Sequence, residues 1–234
     1  MAMDVRILHL IDGARQAEGT AVVIDVFRAF SLECWMYSRG CEKVIPVGSV
    51  EDAFRMRERH PDYILAGERN GIMVEGFDYG NAPSQFEHLD LHGKTVIHTT
   101  SAGVQGLVSV TKADEILTGA LVNAKATAEY LLKKQPEVVS LVAMGWSGIR
   151  DTEEDVLCAE YLASLLKGEP DPGIREKALE LRYTEGKKFF DPAKDMFPER
   201  DFWLCTDVDR FNGVIRVIKG SEGLETEYLA GNTK

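Results

Sequence analysis

Short apolar runs recur along this chain with helix-length segments between them, and that alternation confines it to a sheet covered by helices on its faces. The runs predict strands over 5–10, 21–26, 43–47, 63–66, 95–99, 115–118 and 138–143, with shorter ones at 203–206 and 214–218. The intervening patterns predict helices over 30–38, 50–58, 103–111, 124–133, 153–166 and 173–182. Ser49 with Asp52, and Thr152 with Asp155, have the reciprocal spacing of N-terminal capping boxes. The fold class expected is therefore α/β, a layered α/β/α architecture with a mostly parallel or mixed sheet. It forms either one domain or two packed lobes, 1–120 and 121–234, because no Gly/Ser or Pro linker marks the division.

The 234 residues suffice for a large core without metals or disulfides. The net charge of −11 argues against bulk attraction to nucleic acid or anionic lipid, so an anionic small molecule would need local basic residues or a metal. Cys34, Cys41, Cys158 and Cys205 follow no close zinc-ligand spacing and read as reduced packing residues of a cytoplasmic protein. The N-terminus lacks the apolar core of a secretory signal, and no run approaches the roughly 18 apolar residues of a membrane span.

The run AVVIDVFR places Asp25 and Arg28 where a buried strand should give way to a helix. Asp25 can be a helix cap and Arg28 its ion-pair partner, or the carboxylate can ligate a hard cation while the guanidinium fork receives a phosphate. Glu68 and Arg69 repeat the combination between Gly67 and Gly71, in a segment that reads equally as a charged turn or as a site loop. The Gly-rich segment 76–83 adds Asp78 and Asn81, with Phe77 and Tyr79 as packing anchors. Thr99, Thr100 and Ser101 follow a strand and precede a helix, where backbone N–H groups and hydroxyls can receive an anion; His98 beside them reads as structural. The lysine and ordered glycines of a Walker P-loop are missing, which excludes nucleotide triphosphate binding of that kind. Glu154 and Asp155 open a helix, where negative charge complements the dipole and can also supply oxygen ligands to magnesium. Asn123 is a cap or a polar contributor to the site, and Glu129 faces solvent. The basic, aromatic stretch 183–203 is expected to wrap back onto the fold.

In order along the chain, VVIDVFRA, AGERNG, GFDYGNAP, TTSAG, LVNAKATAEYL and EEDVLCAEYL resemble the 2-phosphosulfolactate phosphatase family over about residues 20–166. CTDVDRFNGVIRV extends the likeness more weakly. The resemblance implies a cytoplasmic, magnesium-dependent phosphatase that hydrolyses 2-phospho-3-sulfolactate to 3-sulfolactate and phosphate, a step that feeds coenzyme M biosynthesis in some organisms. Its motifs fall on Asp25, Arg28, Ala29, Gly67, Glu68, Arg69, Gly76, Phe77, Asp78, Gly80, Asn81, Pro83, Thr99, Thr100, Asn123, Glu154 and Asp155. The chain departs from the family pattern at Ser101-Ala102-Gly103, where Asn-Gly-Thr is usual, and at Ala82, where serine is usual.

The expected machinery follows. Asp25, with Glu154 or Asp155, holds Mg2+; Arg28 and Arg69 neutralise phosphate oxygens; and Glu68 or Asp78 positions water or protonates the leaving alkoxide. Asn81, Thr99, Thr100, Ser101 and Asn123 are further substrate contacts, and Arg150, Lys125 and the 99–106 loop are candidates for a second anion. DVFRA lacks the second aspartate of the haloacid-dehalogenase nucleophile, which favours direct attack by water over an aspartyl-phosphate. The partner expected is a small anionic phosphomonoester, with no nucleic acid and no membrane. The apolar helices can pack internally or form a homodimer. A phosphatase for another phosphorylated hydroxy acid and a non-catalytic anion-binding regulatory module are the alternatives.

Overall fold

In the computed structural model, which describes residues 3–231, the apolar runs become one ten-stranded mixed sheet. β2 (Glu18–Ile24) lies between β8 (Val138–Ala143) and β7 (Lys112–Gly119), all parallel, with β1 (Asp4–His9) outside β8. A second parallel group consists of β3 (Lys43–Pro46), β6 (Thr95–Thr99) and β4 (Ile64–Arg69), and the short β5 (Ile72–Met73) doubles back on β4. The hairpin of β9 (Gly213–Gly220) and β10 (Gly223–Ala230) joins the groups, β9 antiparallel to β7 and β10 antiparallel to β3. Strands from before and after residue 120 are interleaved in this one sheet, with β8 between β1 and β2 and the β9–β10 hairpin between β7 and β3.

β2 shows why its run is continuous rather than alternating. Ala21 and Val23 pack into one core with α1 (Leu10–Gln16), α2 (Ala29–Ser38) and α5 (Gly103–Ser109), whereas Val22 and Ile24 pack into another with α6 (Ala124–Lys134) and α7 (Glu153–Leu166). A strand covered on both faces has no solvent side and no polar positions to alternate with. The result is the expected three-layer α/β/α arrangement. α3 (Val50–Arg59) covers the second parallel group, sending Ala53 and Met56 against Ile45, Leu65 and Ile97. Burial of every residue from Ala29 to Tyr37 makes α2 a core helix, which agrees with its lack of a polar face. Its buried Glu33 meets the buried His98, with Oε1 and Nδ1 3.1 Å apart.

Several expectations change. The segment 203–206 is helical, not a strand: α9 (Glu199–Cys205) follows Pro198, and the helical spacing of Phe202 and Cys205 turns both into the second core. The predicted strand over 5–10 stops at His9, where α1 begins, and the 173–182 helix is α8 (Ile174–Glu180) followed by a 3-10 turn at Leu181–Tyr183. β10, α1 and the one-turn α4 (Pro83–Phe86) were not read from the sequence. Of the two capping boxes, Ser49 Oγ accepts from Asp52 N at 3.0 Å as expected. Thr152 makes no side-chain cap, and the carboxylate of Asp155, its expected reciprocal partner, bonds other loops instead. All four cysteines are buried and free. Among the described residues, no helix is long and apolar enough to cross a membrane.

Candidate active site

The loops that leave β2, β4, β6 and β8 meet at one place, and buried carboxylates tie them together. Asp25 follows β2; its Oδ1 accepts from Ala29 N at 3.0 Å, and its Oδ2 accepts from Gly103 N of the β6 loop at 2.9 Å. Glu68, near the end of β4, accepts from Gly71 N at 2.6 Å and from Ser101 N at 2.6 Å. Asp155 accepts from Val26 N after β2 and from Gly145 N after β8, both at 2.8 Å. Loops beyond the carboxyl ends of strands are where α/β sheets bind ligands. Between them lies a narrow pocket of about 30 Å3, whose walls include Asp25, Arg28, Glu68, Asn81, Ser101 and Phe197. Trp146 also lines a second, wider pocket of about 790 Å3.

Burial dominates the electrostatics. It pushes the Asp25 carboxyl up to about 6, with the nearby Glu68 charge adding to the effect and the N–H groups of Ala29 and Gly103 opposing it. Burial likewise raises Glu154 to about 7, against the pull of the Lys188 ammonium. Asp155 is raised well above the usual carboxylate range by burial and then by the charges of Glu154 and Asp25. Burial first, and repulsion between carboxylates second, thus make these groups hold a proton more tightly than exposed carboxyls do. Among the described residues, no three Asp, Glu, His or Cys side chains are grouped closely enough to ligate one ion together. Magnesium commonly takes only one or two carboxylates and completes its octahedron with water and substrate oxygens, so a three-carboxylate cluster is not required for it. Glu154 Oε2 is buried without a hydrogen-bond partner, and each Asp25 oxygen receives a single N–H, which leaves lone pairs for a cation.

The other anticipated residues divide. Ser101 lines the pocket, its hydroxyl 3.1 Å from Glu68 Oε2. Asn81 lines it too, with a buried Oδ1 that has no partner. Arg28 lines the pocket but does not pair with Asp25: its Nη1 donates to Asp201 Oδ2 at 2.7 Å and to the Met196 carbonyl at 2.9 Å. Arg69 lies outside the lining and donates to Thr99 Oγ1 at 2.8 Å and to the Glu68 carbonyl at 2.7 Å. Thr99 is thereby engaged, and Thr100 Oγ1 accepts from Val104 N at 3.0 Å as an internal helix cap. Asp78 stands by the start of β4, accepting from Leu65 N at 2.8 Å and Arg57 Nη1 at 2.6 Å, whereas Glu68 is towards the end of the same strand. Asn123 is buried before α6 and accepts from Ala120 N at 3.0 Å. Glu154 and Asp155 enter through their charges and, for Asp155, through the loops it ties, not as wall residues of the narrow pocket. Arg150 is ion-paired to Glu185 at 2.5 Å on the wall of the wider pocket, and the backbone N–H of Lys125 donates to Asp209 Oδ1 at 2.9 Å.

A model of the 2-phosphosulpholactate phosphatase family matches residues 6–188. The chain belongs to the 2-phosphosulfolactate phosphatase family. A protein of Caldicellulosiruptor saccharolyticus named as a probable 2-phosphosulfolactate phosphatase is 37% identical over 164 residues, covering 68% of this chain and 67% of its own. One so named from Thermotoga petrophila is 32% identical over 209 residues, covering 86% and 90%, and another from Bacillus subtilis is 29% identical over 188, covering 79% and 81%. The family match ends at Lys188, yet Phe197 and Asp201, from beyond it, complete the pocket wall and hold Arg28.

Sequence reasoning missed Trp146, Lys188, Phe197 and Asp201. The signal for three of them was the aromatic, basic stretch 183–203, which does fold back onto the chain. A 3-10 segment, Glu185–Phe190, brings Phe189 against Phe27 with ring centroids 5.0 Å apart, and Phe197 lies 4.9 Å from the Arg28 guanidinium carbon.

Proposed function

We propose that the protein is a magnesium-dependent phosphatase that hydrolyses 2-phospho-3-sulfolactate to 3-sulfolactate and phosphate. The observation that carries this reading is the set of buried, mutually repelling carboxylates around Asp25 in a chain whose relatives bear that name. Asp25 and Glu154 would hold the ion, with Asp155 fixing the loops around them. Magnesium, when bound, neutralises charge on the phosphoryl oxygens. Glu68 keeps Ser101 and Gly71 in place and orients the attacking water through a remaining lone pair. The water oxygen forms a new bond to phosphorus as the ester P–O bond breaks, and the proton that the water gives up to Glu68 is returned, through solvent, to the departing alkoxide. Asn81 and Ser101 face the same space and are suited to bind substrate oxygens.

Arg28 is assigned a different part from the phosphate clamp expected of it. Its charge is matched by Asp201, so it anchors the 185–201 segment as a wall of the site. Ser101 and Ala102, two of the positions that depart from the family pattern, line the pocket, and this favours a related phosphorylated hydroxy acid as the second reading. Four buried thiols accord with a reducing cytoplasm, and in an organism that makes coenzyme M the product would enter that synthesis.

Purified protein should release phosphate from 2-phospho-3-sulfolactate with magnesium and lose that activity in EDTA. Asp25→Asn should lower kcat by at least a hundredfold. Absence of release from phosphosulfolactate and phospholactate in every magnesium and pH condition would refute the phosphatase reading.

A further inference from the structure

Lys188 stands apart from the other cations around the site. Its Nζ lies 5.1 Å from the Trp146 ring centroid, 5.4 Å from Phe197, and 5.6 Å from both Phe27 and Phe189. Rings at such distances attract a cation through their electron-rich faces, but they carry no net charge to neutralise it. Arg28 has Asp201 and Arg150 has Glu185, whereas Lys188 forms no ion pair with a described residue. Burial among the rings pushes its ammonium below the usual lysine range, and the charges of Glu154, Glu185 and Asp155 partly oppose that.

Its position is as telling as its lack of a partner. Phe27, Trp146 and Phe197 also line the narrow pocket that holds Asp25 and Glu68, so the ammonium stands at an aromatic partition beside the proposed reaction centre. On its other side Lys188 lines the wider pocket of about 790 Å3, together with Arg150, Lys187 and Lys194. Only Glu185 and Asp191 supply negative charge to that lining. On a chain of net charge −11, a basic hollow beside an acidic centre is a local reversal that draws in anions.

We propose that Lys188 is a specificity-determining residue that receives the substrate's second anion, a sulfonate or carboxylate on the carbon skeleton, while the phosphate lies at the Asp25 pocket. The assignment rests on the phosphatase reading above and extends it to the non-reacting end of the substrate. A half-buried ammonium in no direct ion pair, with Glu154 and Glu185 acting on it only through space, gains more from an incoming anion than one already paired, because no short contact has to be broken to admit it. The aromatic walls hold the lysine stem and keep competing water away.

The test compares wild type with Lys188→Met, which keeps an unbranched apolar chain among the rings, and with Lys188→Arg, which keeps the charge. Four substrates separate the sources of the anion. Phosphosulfolactate carries both groups, phospholactate only the carboxylate, the phosphate ester of isethionate only the sulfonate, and p-nitrophenyl phosphate neither. The ratio of kcat/KM for phosphosulfolactate over p-nitrophenyl phosphate should fall at least tenfold in Lys188→Met, chiefly through KM, with partial recovery in Lys188→Arg. Whichever single-anion ester shows the larger loss identifies the group that Lys188 binds. An equal loss on all four substrates, or no loss on any, would overturn the assignment. Calorimetry with 3-sulfolactate reads the same site without turnover: wild type should bind, and Lys188→Met should bind at least tenfold more weakly. Lys188-dependent binding by a wild type that hydrolyses nothing would sink the phosphatase reading and leave this one standing. Hydrolysis with sulfolactate binding absent, or unchanged in Lys188→Met, would do the reverse.

Discussion

Replacing Asp201 with asparagine should destabilise the protein far more than the loss of one surface charge. The side chains of Arg28 and Asp201 are 3% and 0% exposed, so neither can turn to water when its partner is changed. Asp201 satisfies two donors at once: Oδ2 accepts from Arg28 Nη1 at 2.7 Å, and Oδ1 accepts from Ser84 N at 2.8 Å. An amide has one acceptor oxygen, so in either orientation its NH2 faces a donor, and the buried guanidinium loses its counter-charge. Removing one member of a buried pair costs about 3–5 kcal/mol, because the other charge stays buried. That is a large part of a typical stability of about 5–15 kcal/mol. With a urea slope of about 2 kcal/mol/M, the unfolding midpoint should fall by roughly 1.5–2.5 M. Glu87→Gln provides the control, since its partner Arg200 is 54% exposed and such pairs contribute about 1 kcal/mol or less. A midpoint shift for Asp201→Asn no larger than that of the control would refute the reasoning, and with it the view that Arg28 anchors the 185–201 segment.

Three further outcomes follow from the site. The Asp25 carboxyl lies at about 6 against an ordinary 3.8, so the folded protein holds a proton that the unfolded chain releases; stability falls as pH rises from about 4 through 6, by roughly 3 kcal/mol for this group. Urea midpoints measured in EDTA should show that fall and magnesium should restore more stability at pH 8 than at pH 5, whereas a midpoint rising over this range in EDTA would contradict it. Gly103→Ala would put a Cβ 2.8 Å from Asp25 Oδ2 and 2.9 Å from the Ala29 Cβ, and should cost about 1–3 kcal/mol and at least tenfold in kcat, so wild-type turnover would tell against Asp25. Glu68→Gln weakens charge-assisted bonds to Gly71 N and Ser101 N, for about 1.5–3 kcal/mol, and hydrogen exchange at those two amides should accelerate; unchanged protection would show that Glu68 does not join the loops.

Much of the fold was legible because it depends on local patterns. β2 buries both faces and reads as an unbroken apolar run, and Ser49 caps α3 by a contact three residues long. α9 was misread because LCT looks like a short strand, while the helix is decided by Phe202 and Cys205 reaching a core assembled from distant elements. β10 was missed for a related reason. Its LETEYL sets three polar residues, Glu225, Thr226 and Glu227, in a row where a strand pattern would alternate, yet it lies between β9 and β3 and buries Glu225 and Thr226, with Glu225 paired to Lys43 at 3.1 Å. The carboxylates of the site were found as residue types at strand ends. Of their partners only the Ala29 N–H at the start of α2 falls within the helix-cap reading of Asp25; Gly103 N, Val26 N and Gly145 N reach Asp25 and Asp155 only through the folded loops.

The pairing of Asp25 with Arg28 is where proximity in sequence misleads most, and its failure explains the charge balance of the site. Three positions apart, the two would have neutralised each other and left an inert strand end. Instead the guanidinium is drawn 173 positions along the chain to Asp201, while Asp25 stays buried beside Glu68 with only N–H dipoles as direct partners. A dipole lowers the cost of a buried carboxylate without cancelling its charge. Removing Arg28 from the balance leaves Asp25 without a directly paired cation, the part assigned above to magnesium, and the same Arg28–Asp201 pair holds the segment that carries Lys188, Phe189 and Phe197. On the proposed reading Asp25 then serves a cation and Lys188 an anion, and a phosphomonoester with a second negative group is the kind of molecule that engages both.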